Sequence, residues 1–172
     1  MIIFFLDWID YFYNLGEDAL NKLNISKYGQ LVEEAKVNGN FCHHDYTHSN
    51  IILNDEKTYI INFDSCCMEL KVYDLTNLLR RKMRKCKWDV NEAKNILEEY
   101  ASIEELKENE IEVLKIMLQF PQKFWRIANK YYNSRHGWAE KIYMAKLNEV
   151  IEEVEYHRKF MDNFDNIIPV NI

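Results

Sequence analysis

Apolar residues recur at helical spacing through most of the chain, and this pattern predicts a mainly α-helical protein. Residues 4–37 carry runs of this kind, which predict two or three helices before position 40. Ser26 stands directly before the second run, where a serine hydroxyl is suited to cap a helix N-terminus. The spacing returns after position 64 and predicts five further helices, at about 72–86, 90–100, 103–120, 122–133 and 138–162.

One short segment interrupts the helical pattern. Residues 38–40 are turn formers, and the apolar run 51–53 is followed by four polar residues at 54–57. The next run, 58–61, is rich in β-branched and aromatic residues. This sequence of features predicts a β-hairpin, which we expect to be the only sheet. The predicted fold class is therefore mainly α with one small β-hairpin.

Composition favours one compact globular domain without nucleic-acid or membrane partners. The chain has 172 residues, 48% of them hydrophobic, which is enough to build a substantial core. Its formal net charge of -6 argues against nucleic-acid binding, because phosphate backbones require a basic surface. The apolar N-terminal residues are interrupted by Asp7 and Asp10, so we expect neither a signal peptide nor a membrane span.

Two further features have simple structural interpretations. The basic run at 80–87 falls at the end of a predicted helix, where cations interact favourably with the helix dipole. The alternative is a docking patch for acidic partners. The four cysteines show no metal-binding spacing, and we expect them to be small buried side chains in a reducing compartment.

The segment at 40–53, NFCHHDYTHSNIIL, carries the densest candidate chemistry. The spacing His43-x-Asp45-x-x-x-x-Asn50 matches the catalytic loop of protein kinases. In that loop the aspartate accepts or orients the proton of the attacking hydroxyl, and the asparagine holds a magnesium ion. We therefore predict Asp45 and His43 at catalytic positions and Asn50 as a cofactor-binding and metal-binding residue.

Asn62 stands after the hairpin, where a kinase places a second metal ligand. That ligand is normally an aspartate, and a neutral amide lacks the charge that favours magnesium. Asp64 is an alternative ligand, although two residues along a strand would displace its carboxylate by about 6.5 Å. The predicted metal set is therefore Asn50, Asn62 and Asp64, with Asn50 and Asn62 also facing the nucleotide. ATP and Mg²⁺ are the expected cofactors if the site is active, and none otherwise.

The histidines also allow a different interpretation, an HD-type metal phosphohydrolase in which a His-Asp pair binds a divalent ion. His43, His44, Asp45 and His48 would supply the first ligands. The additional ligands that such a site needs would have to come from His136 or His157, which fall at predicted solvent-exposed helix ends.

Four segments of the sequence resemble CotS-type spore coat proteins, relatives of the aminoglycoside phosphotransferase and choline kinase superfamily. These segments are CHHDYTHSNIIL, YIINFDSC, VYDLTNLLRRKM and FPQKFWRIANKYYNSRHGW, and the resemblance covers about residues 26–164. It implies the C-terminal lobe of a kinase-like fold, with Asp74 supporting the catalytic-type loop from the following helix. We expect this chain to lack the N-terminal β-lobe of the superfamily, because the residues before position 40 read as helices and contain no G-x-G pair.

The predicted domain is a kinase-like C-terminal lobe at 1–165, followed by a tail at 166–172. Within the lobe we distinguish leading helices at 1–40, a catalytic-type loop and hairpin at 41–65, and a helical subdomain at 66–165.

The resemblance implies a structural or scaffolding protein of the spore coat with a degenerate phosphotransferase site, in effect a pseudokinase acting in sporulation. An ATP- and Mg²⁺-dependent small-molecule phosphotransferase that uses Asp45 as base is the alternative. The expected locations are the mother-cell cytoplasm and the spore coat. Other coat proteins are the expected partners, and nucleotide, a second copy of the chain or a separate N-terminal lobe are the further candidates.

Overall fold

A computed structural model describes residues 2–133 and 139–168, with side chains from residue 8 onwards. His136 and residue 138, the predicted start of the last helix, lie outside the described residues. Within the described residues there are seven α-helices: α1 (Ile2–Ile25), α2 (Tyr28–Asn38), α3 (Val72–Lys85), α4 (Val90–Ala101), α5 (Glu108–Gln119), α6 (Gln122–Asn133) and α7 (Glu140–Asp162). None of these is both long and apolar enough to cross a membrane.

Four short strands lie between α2 and α3. The predicted hairpin is confirmed: β2 (Ile51–Leu53) pairs antiparallel with β3 (Thr58–Ile60). The expectation of a single sheet is wrong, because β1 (Phe41–Cys42) pairs antiparallel with β4 (Cys67–Met68). The second pair closes the segment into a loop whose two ends meet beside α3.

The larger core cluster fixes α3 against α4, α5 and the end of the described chain. Leu79, Met83, Val113 and Phe164 are fully buried in it. Burying an aliphatic or aromatic side chain of this size contributes about 1.5–3 kcal/mol. A second cluster joins α1, α6 and α7, where the ring of Phe12 stacks on that of Phe124 at 4.3 Å between centroids. The larger cluster thus fixes α3, the helix next to the catalytic-type loop.

Three predicted boundaries differ from the structure. α5 begins at Glu108 rather than at 103, because buried Leu106 anchors an irregular segment and Glu110 accepts the Lys107 amide at 3.0 Å. The N-cap of α2 is Lys27, although the Ser26 hydroxyl still accepts the Tyr28 amide at 3.1 Å. The packed core also extends beyond the predicted end at 165, because the side chain of Ile167 is only 1% exposed.

Most cations of the basic run at 80–87 are engaged within the chain, which disfavours a free docking patch. Arg84 binds both carboxylate oxygens of Glu153, at 2.8 and 3.0 Å. Lys82 pairs with Glu92 at 2.8 Å. Arg80 lies on the side of α3 that faces the C-terminal end of α5, where it donates to the carbonyl of Met117. The run therefore serves mainly to fix α3 against its neighbours.

The cysteines do not form one class, so the expectation that all four are buried is wrong. Cys42 is buried, and burial raises the pKa of its thiol to about 12. Cys86 is half-buried, whereas Cys66 and Cys67 are exposed next to the catalytic-type loop. The exposure follows from the fold, because β4 is an edge strand of a two-stranded pair with solvent on its outer face.

Candidate active site

Asp74 supports the catalytic-type loop from the first turn of α3, as the sequence analysis predicted. Its carboxylate accepts the amide of His43 at 2.6 Å and the amide of His44 at 3.0 Å. Asp74 therefore does not use its side chain to cap its own helix, whose N-cap is Lys71. Two charge-assisted hydrogen bonds across thirty residues of sequence fix the start of the loop on α3.

His43 is buried, and its ring holds the loop together. Nδ1 accepts the amide of Asp45 at 3.2 Å, so Nε2 carries the proton and donates to the carbonyl of Ile61 at 2.8 Å. Phe63 packs on the ring at 4.7 Å between centroids. Because both nitrogens are engaged in these bonds, the geometry favours a bracing role for His43 over the catalytic role assigned to it from sequence.

Asp45 and Asn50 form the centre of the loop. The side-chain amide of Asn50 donates one hydrogen to the Asp45 carbonyl at 2.8 Å and the other to the Asp45 carboxylate at 2.9 Å. Asn50 lies in a 3₁₀ turn and is buried. Its backbone carbonyl accepts the Ile61 amide at 3.0 Å. The two residues that the kinase spacing pairs are therefore in direct contact.

Asn62 completes this network by donating to Asn50. Its Nδ2 lies 2.8 Å from Asn50 Oδ1. These bonds determine the orientation of both side-chain amides. Asn50 donates both of its side-chain hydrogens to Asp45, so its oxygen faces Asn62, and Asn62 must donate to that oxygen. Asn62 adopts a left-handed backbone conformation with φ of 63°, which asparagine tolerates better than most residues. The predicted ligand pair is thus a pair of neutral amides bonded to each other.

The remaining candidate ligand, Asp64, lies in a 3₁₀ turn at Phe63–Ser65 and is exposed. The displacement argued from an extended strand does not apply, because β3 ends at Ile60 and the chain turns at Asn62. Asp64 as a ligand remains a prediction.

Arg81 is a neighbour of Asp45 that sequence reasoning missed. Its Nη2 lies 3.6 Å from Asp45 Oδ1, and both side chains are about half exposed. Its position two turns after Asp74 on α3 is the one signal that could have indicated it.

The contact between His44 and the exposed Cys67 is a second feature that the sequence did not predict. His44 stacks on Tyr73 at 4.0 Å between ring centroids, and its Nε2 lies 3.1 Å from Cys67 Sγ. His48 is exposed. Among the residues that the structure describes, no three His, Cys, Asp or Glu side chains are grouped to hold a metal ion. The metal phosphohydrolase interpretation therefore has no support in the site, and His157 is bonded to a backbone carbonyl at the far end of α5.

The fold and the loop together define a class of protein, the C-terminal lobe of the kinase-like phosphotransferase fold. An aminoglycoside phosphotransferase from Alicyclobacillus acidocaldarius has the same fold, with a TM-score of 0.83 at 20% sequence identity. The match covers 94% of this chain and 48% of that chain.

Within this class, the chain belongs to the family described as Spore coat putative kinase YutH, whose profile matches residues 3–164. It is also 29% identical over 165 residues to Spore coat protein S of Bacillus subtilis (strain 168). That alignment covers 95% of this chain and 47% of the relative. The chain therefore spans about half the length of the proteins it matches, and the described residues before β1 are helical.

Proposed function

We propose that this chain is a structural or scaffolding protein of the spore coat whose kinase-like site is degenerate. The observation that carries the proposal is the hydrogen bond from Asn62 to the side-chain oxygen of Asn50. The family description and the name of the Bacillus subtilis relative support the spore coat as its location. Synthesis in the mother-cell cytoplasm is part of the same proposal.

The residues at the predicted metal position do not fit a magnesium ion. Magnesium binds preferentially through carboxylates and phosphate oxygens, and it keeps a strict octahedral geometry. Asn50 and Asn62 offer only neutral amides, and the oxygen of Asn50 already accepts a hydrogen from Asn62. Turning the Asn62 amide so that its oxygen faces a cation would break this bond and place two carbonyl oxygens opposite each other. The side-chain oxygen of Asn50 therefore has a hydrogen-bond partner without a cation.

A working phosphotransferase that uses Asp45 as base is the second candidate, and the intact loop favours it. His43 accepts the backbone amide of Asp45, and Asn50 donates to the Asp45 carboxylate. Asp74 fixes the start of the loop that carries Asp45, because its carboxylate accepts the amide of His43. ATP and Mg²⁺ would be its cofactors.

Nucleotide binding separates these two functions. We expect the melting temperature of the purified chain to be unchanged by ATP and MgCl₂, and we expect no phosphate release from ATP above buffer. A ligand at a hundred times its dissociation constant would add about 2.7 kcal/mol to the stability, which is a measurable shift.

The matched control is Asp45→Asn, which keeps the shape of the side chain and removes its charge. A magnesium-dependent shift in the wild type, with ATP turnover that Asp45→Asn abolishes, would replace the scaffold proposal with the enzyme.

The hairpin supplies the surface through which we propose that the chain associates with coat partners. Both of its faces are exposed: Ile52 and Tyr59 lie opposite each other on one face, and Leu53 and Ile60 lie on the other. An isolated two-stranded hairpin is only marginally stable in water, so a covering partner would stabilise it. A second copy of this chain is the simplest such partner, and a separate N-terminal lobe or another coat protein would use the same apolar surface.

We expect the wild-type chain to self-associate in sedimentation equilibrium and Leu53→Lys to be monomeric at the same concentrations. Leu53 is 74% exposed, so a lysine there adds charge to the surface without disturbing the core. Ile103→Lys is the control, because Ile103 is 88% exposed in the segment before α5. A wild-type monomer would contradict self-association through the hairpin. Equal weakening by both variants would contradict the hairpin as the surface of contact.

A further inference from the structure

A partly open cavity of about 60 Å³ lies among the helices, away from the loop described above. It is bounded by α1, α3, the junction of α5 and α6, and α7. Most of its wall is apolar, formed by side chains such as Phe12, Leu118 and Val154. Two side chains that also line it, Arg80 and Trp88, carry buried polar atoms with no hydrogen-bond partner. Buried donors of this kind are rare in folded proteins, and a bound ion or water commonly explains them.

Arg80 brings a positive charge to this cavity without a carboxylate to balance it. Its Nη1 donates to Asn77 at 3.1 Å and to Gln122 at 3.0 Å, and its Nη2 donates to the Met117 carbonyl. All three acceptors are neutral, and within the described part of the chain no carboxylate lies within ion-pair distance of Arg80. The C-terminal end of α5 supplies about half an opposite charge. The Nε–H group remains buried and unpaired.

Trp88, which lines the same cavity, carries a second buried donor without a partner. Its side chain is 6% exposed, and its indole N–H is buried without an acceptor. The backbone holds it there under strain, because Lys87 and Trp88 both have positive φ, at 52° and 58°. The Trp88 amide donates to the Met83 carbonyl at 2.7 Å, and the indole packs on His157 and Phe160.

The other ionisable groups at the cavity do not neutralise Arg80. Glu153 is bonded to Arg84 through both oxygens and also lies 3.5 Å from Lys123. Lys123 in turn pairs with Glu149, outside the cavity. His157 donates through Nε2 to the Leu118 carbonyl at 3.1 Å, and burial lowers the pKa of its imidazole, which favours the neutral form. The cavity wall therefore carries an excess of positive charge.

We propose that this cavity binds a small monovalent anion, which accepts hydrogen bonds from Arg80 Nε and Trp88 Nε1. A buried cation is costly to leave unpaired, and an anion at this position would balance it as well as satisfy both donors. The volume exceeds what one water molecule needs and suits a halide or the carboxylate group of a short acid. The apolar wall disfavours a larger, strongly hydrated dianion such as phosphate.

This inference does not depend on the proposed coat function. The anion site and the catalytic-type loop both contact α3. Arg80 is adjacent in sequence to Arg81, which pairs with Asp45, and Asp74 lies one and a half turns earlier on α3. An anion between α3 and the end of α5 would fix the helix that carries both contacts.

The first test measures thermal unfolding of the full chain in increasing sodium bromide, sodium acetate and sodium butyrate. We expect the melting temperature to rise with anion concentration in the wild type and then to saturate. Trp88→Phe keeps an aromatic ring against His157 but removes the N–H, so we expect it to need at least about tenfold more anion for the same shift. A response to bromide identifies an inorganic anion site, and a response to the acids alone identifies a carboxylate site.

Trp125→Phe is the matched control, because Trp125 is 59% exposed on α6 and is not among the residues that line the cavity. It should respond to the anions as the wild type does. The second test needs no variant: a crystal of the chain grown in bromide should show an anomalous peak within hydrogen-bond distance of Arg80 Nε and Trp88 Nε1. A cavity that holds only water in bromide and in acetate would overturn the proposal. So would an anion response that is the same in Trp88→Phe and the wild type.

Discussion

Replacement of Asp74 by alanine is expected to lower the free energy of unfolding by about 3 kcal/mol, among the largest effects of any polar residue in the chain. The carboxylate accepts the amides of His43 and His44, at 2.6 and 3.0 Å, and each amide loses its partner in the variant. Buried amides without partners cost about 1–3 kcal/mol apiece. Urea unfolding measures the change, and hydrogen exchange at the two amides locates it.

Asp89→Ala is the matched control for this prediction. The Asp89 carboxylate also accepts two backbone amides, those of Asn91 and Glu92, but it does so at the exposed N-terminus of α4. A helix-capping residue of this kind is worth about 1 kcal/mol. Asp89→Ala should therefore cost clearly less than Asp74→Ala and leave the catalytic-type loop protected from exchange. Equal losses in the two variants would mean that Asp74 contributes only a local cap.

The difference between these two aspartates also shows where sequence reasoning succeeds. Capping by Asp89 is local, and the helical periodicity that placed α3, α4 and α6 is local as well, so both can be read from neighbouring residues. The hairpin was predictable for the same reason. The role of Asp74 came from resemblance to a family, because a bond to an amide thirty residues away leaves no pattern in the sequence.

Several features of the site could not have been predicted from sequence at all. The β1–β4 pair has two residues on each strand, which is too short for any periodicity to appear. The contact between Arg81 and Asp45 depends on how α3 packs beneath the loop. The unpaired N–H groups of Arg80 and Trp88 depend on the meeting of four helical elements and on strained backbone after α3. These features are consequences of tertiary packing, which patterns among neighbouring residues do not reveal.

The direction of the Asn62 amide is the most consequential of these features, because it leads to the second large prediction. Sequence analysis identified an amide where kinases carry a carboxylate, but only the structure shows that its N–H faces Asn50 Oδ1 at 2.8 Å. Exchanging Asn62 for aspartate would replace this donor with a charged acceptor. Asn50 cannot turn to compensate, because its own N–H groups are bonded to Asp45.

We therefore expect Asn62→Asp to lose about 2 kcal/mol of stability without divalent ions and to regain most of it in MgCl₂. The wild type should not respond to magnesium beyond its response to NaCl of equal ionic strength. The restored carboxylate would provide the negative charge that magnesium requires beside the Asn50 oxygen, and the ion would take over the position of the amide hydrogen. Unfolding in urea with each salt measures both effects.

The control for the charge itself is Asn54→Asp in the turn of the hairpin. Asn54 Oδ1 only accepts, from the amides of Glu56 and Lys57, so a carboxylate can replace it without losing a bond. Asn54→Asp should leave stability nearly unchanged and show no magnesium response. If Asn62→Asp also showed no response to magnesium, the loss of one carboxylate could not explain the degeneracy that we propose for the site. The cause would then lie in the rest of the loop, since Asp45 is also held by Asn50 and faces Arg81.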